Sequence, residues 1–377
     1  MKRNALYLIL LGLVSGTFVG CEPDNGEDDF ESGKTAFAAN DLKKAERNFE
    51  SCLAKSATNV EAVVYLTRVK LGLGELTGAR QWVSRAKELA GGDSDVRLLA
   101  AQIDWHAKDF ASAAKGFSAL ANDSKLPLSV RSEGWSGLGI VEMTQNNRDL
   151  AQVAFLRAVR MDRHNASAWY HLGFLYRDGF GYAESALEQF SIFVRLSEVA
   201  SPRVQKVQRT VIPELKDTIA RAAASRPGAA KRDSGACAAA LAKAEAAMKK
   251  GNLKSAKQAY QDALKADPLS HPAAVGLAKA WLKTDATKKG MTSALDAYKQ
   301  ACVASPGAVT TFVETADLAN KLGLNAMAVE VYSRAVAANP TSIVALDGYI
   351  RSLRRTGKNA AAQAFQSYRD SLTPKKK

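Results

Sequence analysis

Aromatic residues are scarce in this chain: they make up 7% of its 377 residues, whereas alanine is plentiful. The strands of a β-sandwich prefer β-branched and aromatic residues, so this composition favours close-packed helices. Apolar residues make up 47% of the sequence and charged residues 24%. These proportions are typical of a folded globular protein, and they exclude a chain that is disordered throughout, a collagen and a polytopic membrane protein.

The motifs of common enzyme sites are also missing. The sequence contains no P-loop, no Gly-x-Gly-x-x-Gly after a strand pattern, no His-Glu-x-x-His and no Cys-x-x-Cys. None of its four histidines shares a helical face with metal-ligand partners at a suitable spacing. Cys52, Cys237 and Cys302 are widely spaced, so we predict that they are buried small residues. We therefore predict no enzyme activity, no catalytic residue, no metal and no cofactor.

The apolar run near the N-terminus is short. It covers residues 5–19, whereas a transmembrane helix needs about 20 apolar residues. With two basic residues before it, the run has the size of a signal-peptide core. It ends at Phe-Val-Gly-Cys, residues 18–21, which resembles the lipobox of bacterial lipoproteins. The resemblance implies that residues 1–20 are a signal peptide and that Cys21 is lipidated. An uncleaved anchor, or a secretory signal followed by a chance cysteine, is the alternative.

The segment after the lipobox reads as a tether. Residues 21–28 begin with Cys21 and are rich in acidic and turn-forming side chains. In the lipoproteins of some bacteria, an aspartate directly after the lipidated cysteine favours retention in the inner membrane. This chain has Glu22 at that position, which favours the outer membrane instead. The resemblance thus implies a lipid-anchored protein of the bacterial cell envelope, at the outer membrane and facing the periplasm.

One apolar pattern recurs along the chain at intervals of 33 to 38 residues, with one interval of 70. An alanine is followed four residues later by an aromatic or apolar residue, and three residues beyond that by a small or apolar one. The nine sets are Ala45/Phe49/Cys52, Ala79/Val83/Ala86, Ala113/Phe117/Leu120, Ala151/Phe155/Ala158, Ala186/Phe190/Phe193, Ala256/Tyr260/Ala263, Ala294/Tyr298/Ala301, Ala328/Tyr332/Ala335 and Ala361/Phe365/Tyr368. These spacings place each set on one face of a helix.

The pattern resembles the tetratricopeptide repeat, a helix–turn–helix unit of 34 residues. The signature of its first helix is complete at Trp169, Leu172, Gly173 and Tyr176 and partial at Trp135, Leu138 and Gly139. The proline that closes the repeat is found at Pro268, Pro306 and Pro340. The resemblance implies an all-α fold: an α-solenoid of tetratricopeptide helix–turn–helix repeats, wound into a right-handed superhelix with a concave face.

The repeat is interrupted near the middle of the chain. Residues 202–224 are predicted to be helical, with a kink or break at Pro213, and residues 225–236 are typical of a linker. The predicted domains are a first array of about five repeats at 29–200, a capping helix and basic linker at 201–236, and a second array of about four repeats with a basic tail at 237–377. One continuous solenoid with a degenerate sixth repeat is the alternative.

In this family, certain positions of each first helix commonly line the concave face. We number each repeat from its recurring alanine and call this numbering the register. In the first array, these positions are occupied by Arg68, Gln102, Trp105, His106, Ile140, Met143, Tyr170, Phe174 and Arg177. We predict that Arg68, Trp105, Ile140, Tyr170, Phe174 and Arg177 bind a partner. Such an aromatic and apolar lining suits a peptide or helix that inserts apolar anchors. Packing inside the core is the alternative for some of these side chains, Trp105 among them.

Positive charge is concentrated in the second half. Residues 200–377 contain 29 Lys and Arg against 13 Asp and Glu. The same positions select in the second array Lys249, Lys279, Lys283, Lys321, Arg351, Arg354 and Arg355. Clustered cations favour carboxylate or phosphate partners, and a solvated surface without a partner is the alternative. The export signal argues against nucleic acid, so we predict no nucleic-acid partner.

These observations predict a non-enzymatic, lipid-anchored envelope scaffold that captures proteins or their peptides. Lipoproteins with such repeats help secretins, pili and outer-membrane proteins to assemble, so the resemblance implies a role in an outer-membrane or trans-envelope complex. The alternative is a cell-wall factor that binds an anionic polysaccharide through the basic second array. Salt separates the two, because binding to a polyanion weakens steeply as salt is added.

Overall fold

The computed structural model describes residues 25–198, 201–225 and 232–373. These residues form helices joined by short turns, and no strand occurs among them. The helices are α1 Glu27–Ala38, α2 Leu42–Lys55, α3 Val60–Gly72, α4 Leu76–Ala90, α5 Ser94–His106, α6 Phe110–Asn122, α7 Leu128–Thr144, α8 Arg148–Met161, α9 Ala166–Phe174, α10 Ala183–Leu196, α11 Pro202–Lys206, α12 Ile212–Ala224, α13 Ser234–Lys249, α14 Leu253–Ala266, α15 His271–Thr284, α16 Lys288–Ala304, α17 Val309–Lys321, α18 Asn325–Ala338, α19 Ile343–Arg355 and α20 Asn359–Leu372. The predicted all-α class is confirmed, and consecutive helices pack in pairs.

The chain forms two compact units, which divide inside α5 between Leu99 and Ala100. The first unit contains α1 to α4, and the second contains α6 to α20. None of the helices in the described ranges is long and apolar enough to cross a membrane. The predicted signal peptide, Cys21 and the end of the basic tail lie outside the described residues, and the predicted domain boundaries stay predictions.

The recurring apolar sets form the core of both units. Every residue of the nine sets is buried, and the most exposed, Ala361, is only 6% exposed. The alanine lets the two helices of a pair approach closely, and the aromatic ring four residues later fills the space beside it. Cys52 and Cys237 are buried and Cys302 is partly buried, all three as free thiols.

Glycines of the first helices make room for the aromatic rings. A Cβ atom at Gly173 would lie 2.9 Å from the Phe190 ring, and one at Gly348 would lie 2.1 Å from the Tyr332 ring. Real Cβ contacts are not that short, so these positions need a residue without a side chain. This explains why the glycine belongs to the repeat signature.

The turns between paired helices use left-handed backbone. Gly74 and Gly357 both have a φ of 77° there, a conformation that glycine adopts without steric cost. In the turn before α14, the Asn252 side chain accepts the amide hydrogen of Ser255 and so caps that helix. The left-handed residue of that turn is Gly251, with a φ of 73°.

The helical segment predicted at residues 202–224 is present, with an interruption. A π-helical stretch, Val207–Val211, separates α11 from α12 and lies directly before Pro213. Proline lacks the amide hydrogen that would continue the α-helical ladder, which accounts for the widened turn. Val204, Val211 and Leu215 are buried, and α12 packs against α10.

Helix α13 follows the interrupted segment. Helix α13 starts at Ser234, and the side chain of Asp233 caps it by accepting the amide hydrogen of Ala236. The Arg232 guanidinium donates to both carboxylate oxygens of Asp267, over 2.8 and 2.9 Å. Part of the predicted linker is therefore tied to α14, which ends beside Asp267.

Candidate functional site

An aromatic groove lies on α9 and the segment that follows it. Met143, Tyr170, His171, Phe174 and Asp178 line a cavity of about 470 Å³ in the second unit. We call this cavity the aromatic groove. Three of its residues, Met143, Tyr170 and Phe174, belong to the set that the repeat register selects. The structure therefore brings together side chains that the register places on neighbouring first helices.

The rings of the aromatic groove are held by ring contacts. The Tyr170 and Phe174 centroids are 4.8 Å apart in an edge-on arrangement. Phe174 contacts Phe190 at 4.9 Å, and Tyr170 contacts Phe193 at 5.0 Å. Both supporting rings are buried in α10. The groove is thus a preformed apolar surface rather than a set of free side chains.

Two arginines border the aromatic groove. The Arg177 guanidinium lies 4.6 Å from the Phe174 centroid and also pairs with Asp178 over 2.6 Å. Arg203 lies 5.0 Å from the Tyr170 centroid. The groove therefore offers an apolar floor that is bordered by Arg203 and by the Arg177–Asp178 ion pair.

His171 forms a neutral wall of the same groove. Its ring stacks on Phe155 with centroids 6.0 Å apart. Burial, and then the nearby charge of Arg203, lower the pKa of His171 to about 4. The imidazole is therefore uncharged at neutral pH, and it contributes a ring and one hydrogen-bond donor to the wall.

Trp105 and Ile140 lie on the two preceding first helices of the second unit. The Trp105 indole donates to Thr144 Oγ1 over 3.3 Å, and Thr144 Oγ1 donates to the Ile140 carbonyl over 2.8 Å. Trp105 also meets His106 edge-on at 4.7 Å. Trp105 is therefore partly buried against α7, and Gln102 and His106 are exposed.

Arg68 lies in the first unit, on α3. Its guanidinium pairs with Asp95 over 3.3 Å and lies 5.7 Å from the Tyr65 centroid. Tyr65 in turn stacks on the buried ring of Phe49 at 5.3 Å. Arg68 is thus half-exposed and engaged in a local ion pair.

The predicted basic residues of the second array are all exposed. They are Lys249 on α13, Lys279 and Lys283 on α15, Lys321 on α17, and Arg351, Arg354 and Arg355 on α19. Helix α17 also carries two acids that the prediction left out. Lys279 pairs with Glu314 over 3.2 Å, and Arg351 pairs with Asp317 over 3.9 Å. The surface is therefore mixed in charge where α15, α17 and α19 meet.

Part of the positive charge remains without an acidic partner. Within the described ranges, Lys249, Lys283, Lys321 and Arg355 form no ion pair, and Arg354 donates only to Gln366 over 3.4 Å. The sequence contained this information, because Asp317 lies one turn and Glu314 two turns before Lys321 on the same first helix. Applying the same repeat positions to acidic as well as basic residues would have identified both acids.

The family comparison agrees with the helix pairs described above. Two models, both described as tetratricopeptide repeat, match residues 36–103, and residues 137–198 and 241–309. Together these segments cover more than half of the chain. The chain belongs to the tetratricopeptide-repeat (TPR) family. A search of curated proteins by sequence finds no match.

Solved TPR structures resemble the chain at low identity. PilF of Pseudomonas aeruginosa is 16% identical, with a TM-score of 0.40 over 52% of this chain and 91% of PilF. PilW, a widely conserved type IV pilus biogenesis factor, is 14% identical, with a TM-score of 0.40 over 66% of this chain and 96% of PilW. The TPR2AB domain of yeast Sti1, in complex with pHSP90, is 14% identical, with a TM-score of 0.30 over 75% and 100% of the two chains.

The two TPR arrays contact each other inside the second unit, which the sequence did not predict. The Asp149 carboxylate of α8 accepts hydrogen bonds from Tyr349, on α19, and from Lys358, over 2.5 and 2.6 Å. Tyr182 donates to the Glu330 carbonyl over 3.2 Å. We call this contact region the junction.

Helices α8 and α20 form the other part of the junction. The Arg157 guanidinium donates to the Ala364 carbonyl over 2.9 Å and lies 4.4 Å from the Trp135 centroid. Burial lowers the pKa of Arg157. Arg160 donates to the Ser371 carbonyl over 2.6 Å. Arginines that donate to backbone carbonyls leave no repeat signature, so no local pattern could have indicated this contact.

In the part of the chain that the structure describes, no group of three His, Cys, Asp or Glu side chains is placed to hold a metal ion.

Proposed function

We propose that this chain is a non-enzymatic, lipid-anchored scaffold of the bacterial cell envelope that captures proteins through its TPR arrays. TPR arrays are protein-interaction folds, since stacked repeats present extended surfaces to peptides and helices. The proposed setting is the assembly of an outer-membrane or trans-envelope complex of the secretin, pilus or outer-membrane-protein type. Cys21 would provide the lipid anchor.

The aromatic groove is the observation that carries the proposal. Its rings are fixed by buried neighbours, so little side-chain freedom is lost when a partner binds. Clustered aromatic residues beside arginine are the usual composition of binding hot spots. An apolar anchor of a peptide or helix fits against Tyr170 and Phe174, while Arg177 and Arg203 can contact acidic residues beside that anchor.

Crosslinking in cells tests the scaffold. The tagged full-length protein is crosslinked, and the membrane fraction is analysed by mass spectrometry. We expect recurrent envelope-protein partners that are lost when Tyr170→Ala and Phe174→Ala are combined. The matched control combines Leu128→Ala and Val344→Ala, which remove apolar side chains that are 56% and 64% exposed outside the groove.

Two results would contradict this proposal. One is an unchanged set of partners in the groove variant while its circular dichroism stays helical. The other is the same loss of partners in the control variant. A further variant, Arg203→Glu, removes an exposed cation at the border of the groove and reports on the same surface without deleting a ring.

Lipid anchoring has its own test. Cys21→Ser should leave a precursor that is unprocessed or lacks lipid, because the serine cannot take the thioether-linked lipid. Metabolic labelling with a fatty acid measures the difference. Normal labelling of the variant would end the lipoprotein part of the proposal and leave the scaffold part standing.

A second candidate is a cell-wall factor that binds an anionic polysaccharide. The unpaired cations Lys283, Lys321 and Arg355 favour it, whereas Glu314 and Asp317 weaken it by lowering the local charge. Combining Lys279→Glu, Lys283→Glu, Arg351→Glu and Arg355→Glu should abolish such binding. If salt releases the bound material and the groove variant still binds it, this second function replaces the first.

A further inference from the structure

The turns at the start of the second array carry unbalanced positive charge. Lysines lie on both sides of the α13–α14 turn and of the α15–α16 turn, whereas Asp285 is the only acid in residues 249–257 and 281–289. The lysines are Lys249, Lys250, Lys254, Lys257, Lys283, Lys288 and Lys289. We call this set the basic edge.

Two observations show that these turns lie side by side. The Lys257 ammonium, on α14, lies 3.9 Å from the centroid of the Trp281 ring, on α15. Hydrogen bonds from Thr287, and then the charges of Lys257 and Lys289, lower the pKa of Asp285. Lysines from both turns therefore lie close to one carboxylate, and the basic edge is one continuous surface.

The lysines of the basic edge are available to a partner. All of them are exposed except Lys257, which is half-buried against Trp281. Within the residues that the structure describes, none of the lysines in this set forms a salt bridge. Their charges are therefore neutralised by solvent ions unless an anionic partner binds.

The acids of the neighbouring helices are engaged elsewhere. On α14, Asp262 pairs with Lys265 over 2.9 Å. On α13, Glu245 lies near the Tyr260 phenol, since burial and then the Glu245 charge raise the pKa of Tyr260. On α16, Asp296 pairs with Lys299 over 3.3 Å. These acids do not neutralise the basic edge.

Helix stability does not explain the positions of these lysines. Lys254 lies in the first turn of α14, and Lys288 and Lys289 begin α16. The N-terminal end of a helix carries partial positive charge, so a cation there is unfavourable. Neither of these two helices has an acid in its first turn to offset the cations. Three lysines of the basic edge thus oppose the helix dipole, which favours a role in binding.

The equivalent turns of the first array are balanced in charge. Lys108 is followed directly by Asp109 between α5 and α6, and Arg148 is followed directly by Asp149 at the start of α8. The excess of lysine therefore belongs to the second array and is not a general property of the turn within a TPR.

We propose that the basic edge binds the anionic headgroup surface of a phospholipid membrane. Each lysine near such a surface adds to the attraction, so a row of exposed lysines fits many headgroups at once. None of these lysines lines the aromatic groove, and they lie along an edge rather than converging on a small anion. Trp281, which is partly buried beside Lys257, is of the residue type that is enriched at membrane interfaces.

This inference rests on the proposed envelope scaffold, because an anchor at Cys21 would hold the chain beside a membrane. An anchor alone leaves the second unit free to turn relative to the lipid. Contact through the basic edge would orient that unit, so that its TPR surfaces face partners in a defined direction.

Amine labelling of the purified full-length chain tests the proposal. The chain is mixed with vesicles of phosphatidylcholine alone or of phosphatidylcholine with phosphatidylglycerol. An acetylating reagent modifies exposed lysines, and mass spectrometry gives the rate at each one. On the anionic vesicles we expect lysines of the basic edge to react at least about fivefold more slowly than on phosphatidylcholine. Lys115 and Lys216 are exposed and should react equally on both.

The same samples separate the anchor from the basic edge. Sedimentation with phosphatidylcholine vesicles reports on the anchor, because these vesicles have no net charge. Protection of lysines that requires phosphatidylglycerol reports on the basic edge. A chain without the lipid would fail the first measurement and still show the second. Added salt should remove the protection, because it screens exposed charges.

Two variants with the same loss of charge locate the contact. The edge variant should abolish the protection of Lys249 and Lys283, and it combines Lys250→Gln, Lys254→Gln, Lys288→Gln and Lys289→Gln. The control variant removes exposed lysines elsewhere and should keep the protection, and it combines Lys87→Gln, Lys115→Gln, Lys206→Gln and Lys216→Gln. The edge variant should stay folded, as circular dichroism would show, because it removes cations from helix N-termini.

The proposal is overturned if the lysines of the basic edge react equally on both kinds of vesicle. It is also overturned if the control variant loses the protection as the edge variant does. Dextran sulfate, a soluble polyanion, is the remaining comparison. Equal protection by dextran sulfate at the same concentration of anionic groups would assign the basic edge to a soluble polymer instead of a membrane.

Discussion

Glycine 348 shows how closely the paired helices approach at the scale of single residues. A Cβ atom there would lie 2.1 Å from Tyr332 Cε1, and that ring is fully buried and also donates from its hydroxyl to Asp317. We expect Gly348→Ala to lower the free energy of unfolding by about 1–3 kcal/mol, because the ring must move. This loss should exceed the gain of about 1 kcal/mol in helix propensity.

Urea unfolding followed by circular dichroism measures this change. The control is Gly307→Ala, at a turn glycine whose added Cβ would meet no atom within 4 Å. The control should change stability by no more than about 0.5 kcal/mol. A Gly348→Ala chain as stable as the unmodified one would mean that the two helices separate without cost.

His171 makes stability depend on pH. Its pKa in the folded chain is about 4, lowered by burial and by Arg203, whereas an unfolded histidine titrates near 6.5. As pH falls, the unfolded state takes up the proton first. The contribution of His171 is therefore complete above about pH 6.5 and is lost as pH falls through 4, with a total of at most about 3 kcal/mol.

His171→Gln should remove this part of the pH dependence. The measurement is the free energy of unfolding in urea at pH 7.5, 5.5 and 4.5 for the unmodified and variant chains. The control is His164→Gln, since the His164 side chain is 87% exposed, and it should keep the full slope. Parallel pH profiles for His171→Gln and the unmodified chain would show that another group causes the loss.

At the scale of elements, Asn165 connects three helices. Its side chain accepts the amide hydrogen of Ala168 and so caps α9, and it donates to Ser132 Oγ over 2.8 Å. Ser132, which is buried in α7, donates in turn to the Ala158 carbonyl near the end of α8. The Asn165 side chain therefore caps α9 and also links that helix to α7 and α8 through hydrogen bonds.

Asn165→Ala should cost more than the loss of a simple cap. Removing a cap costs about 1 kcal/mol, and leaving Ser132 without this partner adds to that cost. The comparison is Asn252→Ala, where the asparagine caps α14 through the amide of Ser255. Chemical denaturation measures both. Equal losses would show that the link to Ser132 contributes nothing to stability.

Much of the element level could be predicted from the sequence. Spacings of three and four residues place an alanine and an aromatic ring on one face, and each set so identified is buried. The positions at which α-helical hydrogen bonding gives way to π-helical hydrogen bonding could not be predicted. The π-helical stretches Leu175–Phe180 and Val207–Val211 depend on tertiary packing, and only Pro213 gave a local sign of one of them.

The binding surfaces were predictable only in part. The register selected Tyr170 and Phe174, which the structure places in one groove, because first-helix positions repeat with the array. In the second array it selected cations alone and left out Glu314 and Asp317, which pair with two of them. The net charge of the surface depends on ion pairs between neighbouring helices. Repeat positions that are read one helix at a time do not show these pairs.

At the scale of the whole molecule, the sequence could not predict that the arrays meet. The Tyr349 hydroxyl donates to Asp149, a residue 200 positions earlier, and Arg157 donates to a backbone carbonyl of α20. Contacts of this kind join residues that share no repeat position. They depend on how each helix pair is rotated against the next, and small rotations accumulate along an array.

A double-mutant cycle tests the junction. Tyr349 is fully buried, and its hydroxyl depends on the Asp149 carboxylate. We expect Tyr349→Phe and Asp149→Asn to interact by about 1–3 kcal/mol in the free energy of unfolding, because they remove one shared hydrogen bond. Hydrogen exchange should quicken in α8 and α20 of each single variant.

The control is Asp296→Asn, which changes an exposed acid on α16 that pairs with Lys299. Its effect on the free energy of unfolding should be additive with that of Tyr349→Phe. If Asp149→Asn is also additive with Tyr349→Phe, the two arrays are not coupled through this bond, and they unfold as neighbours rather than as one unit.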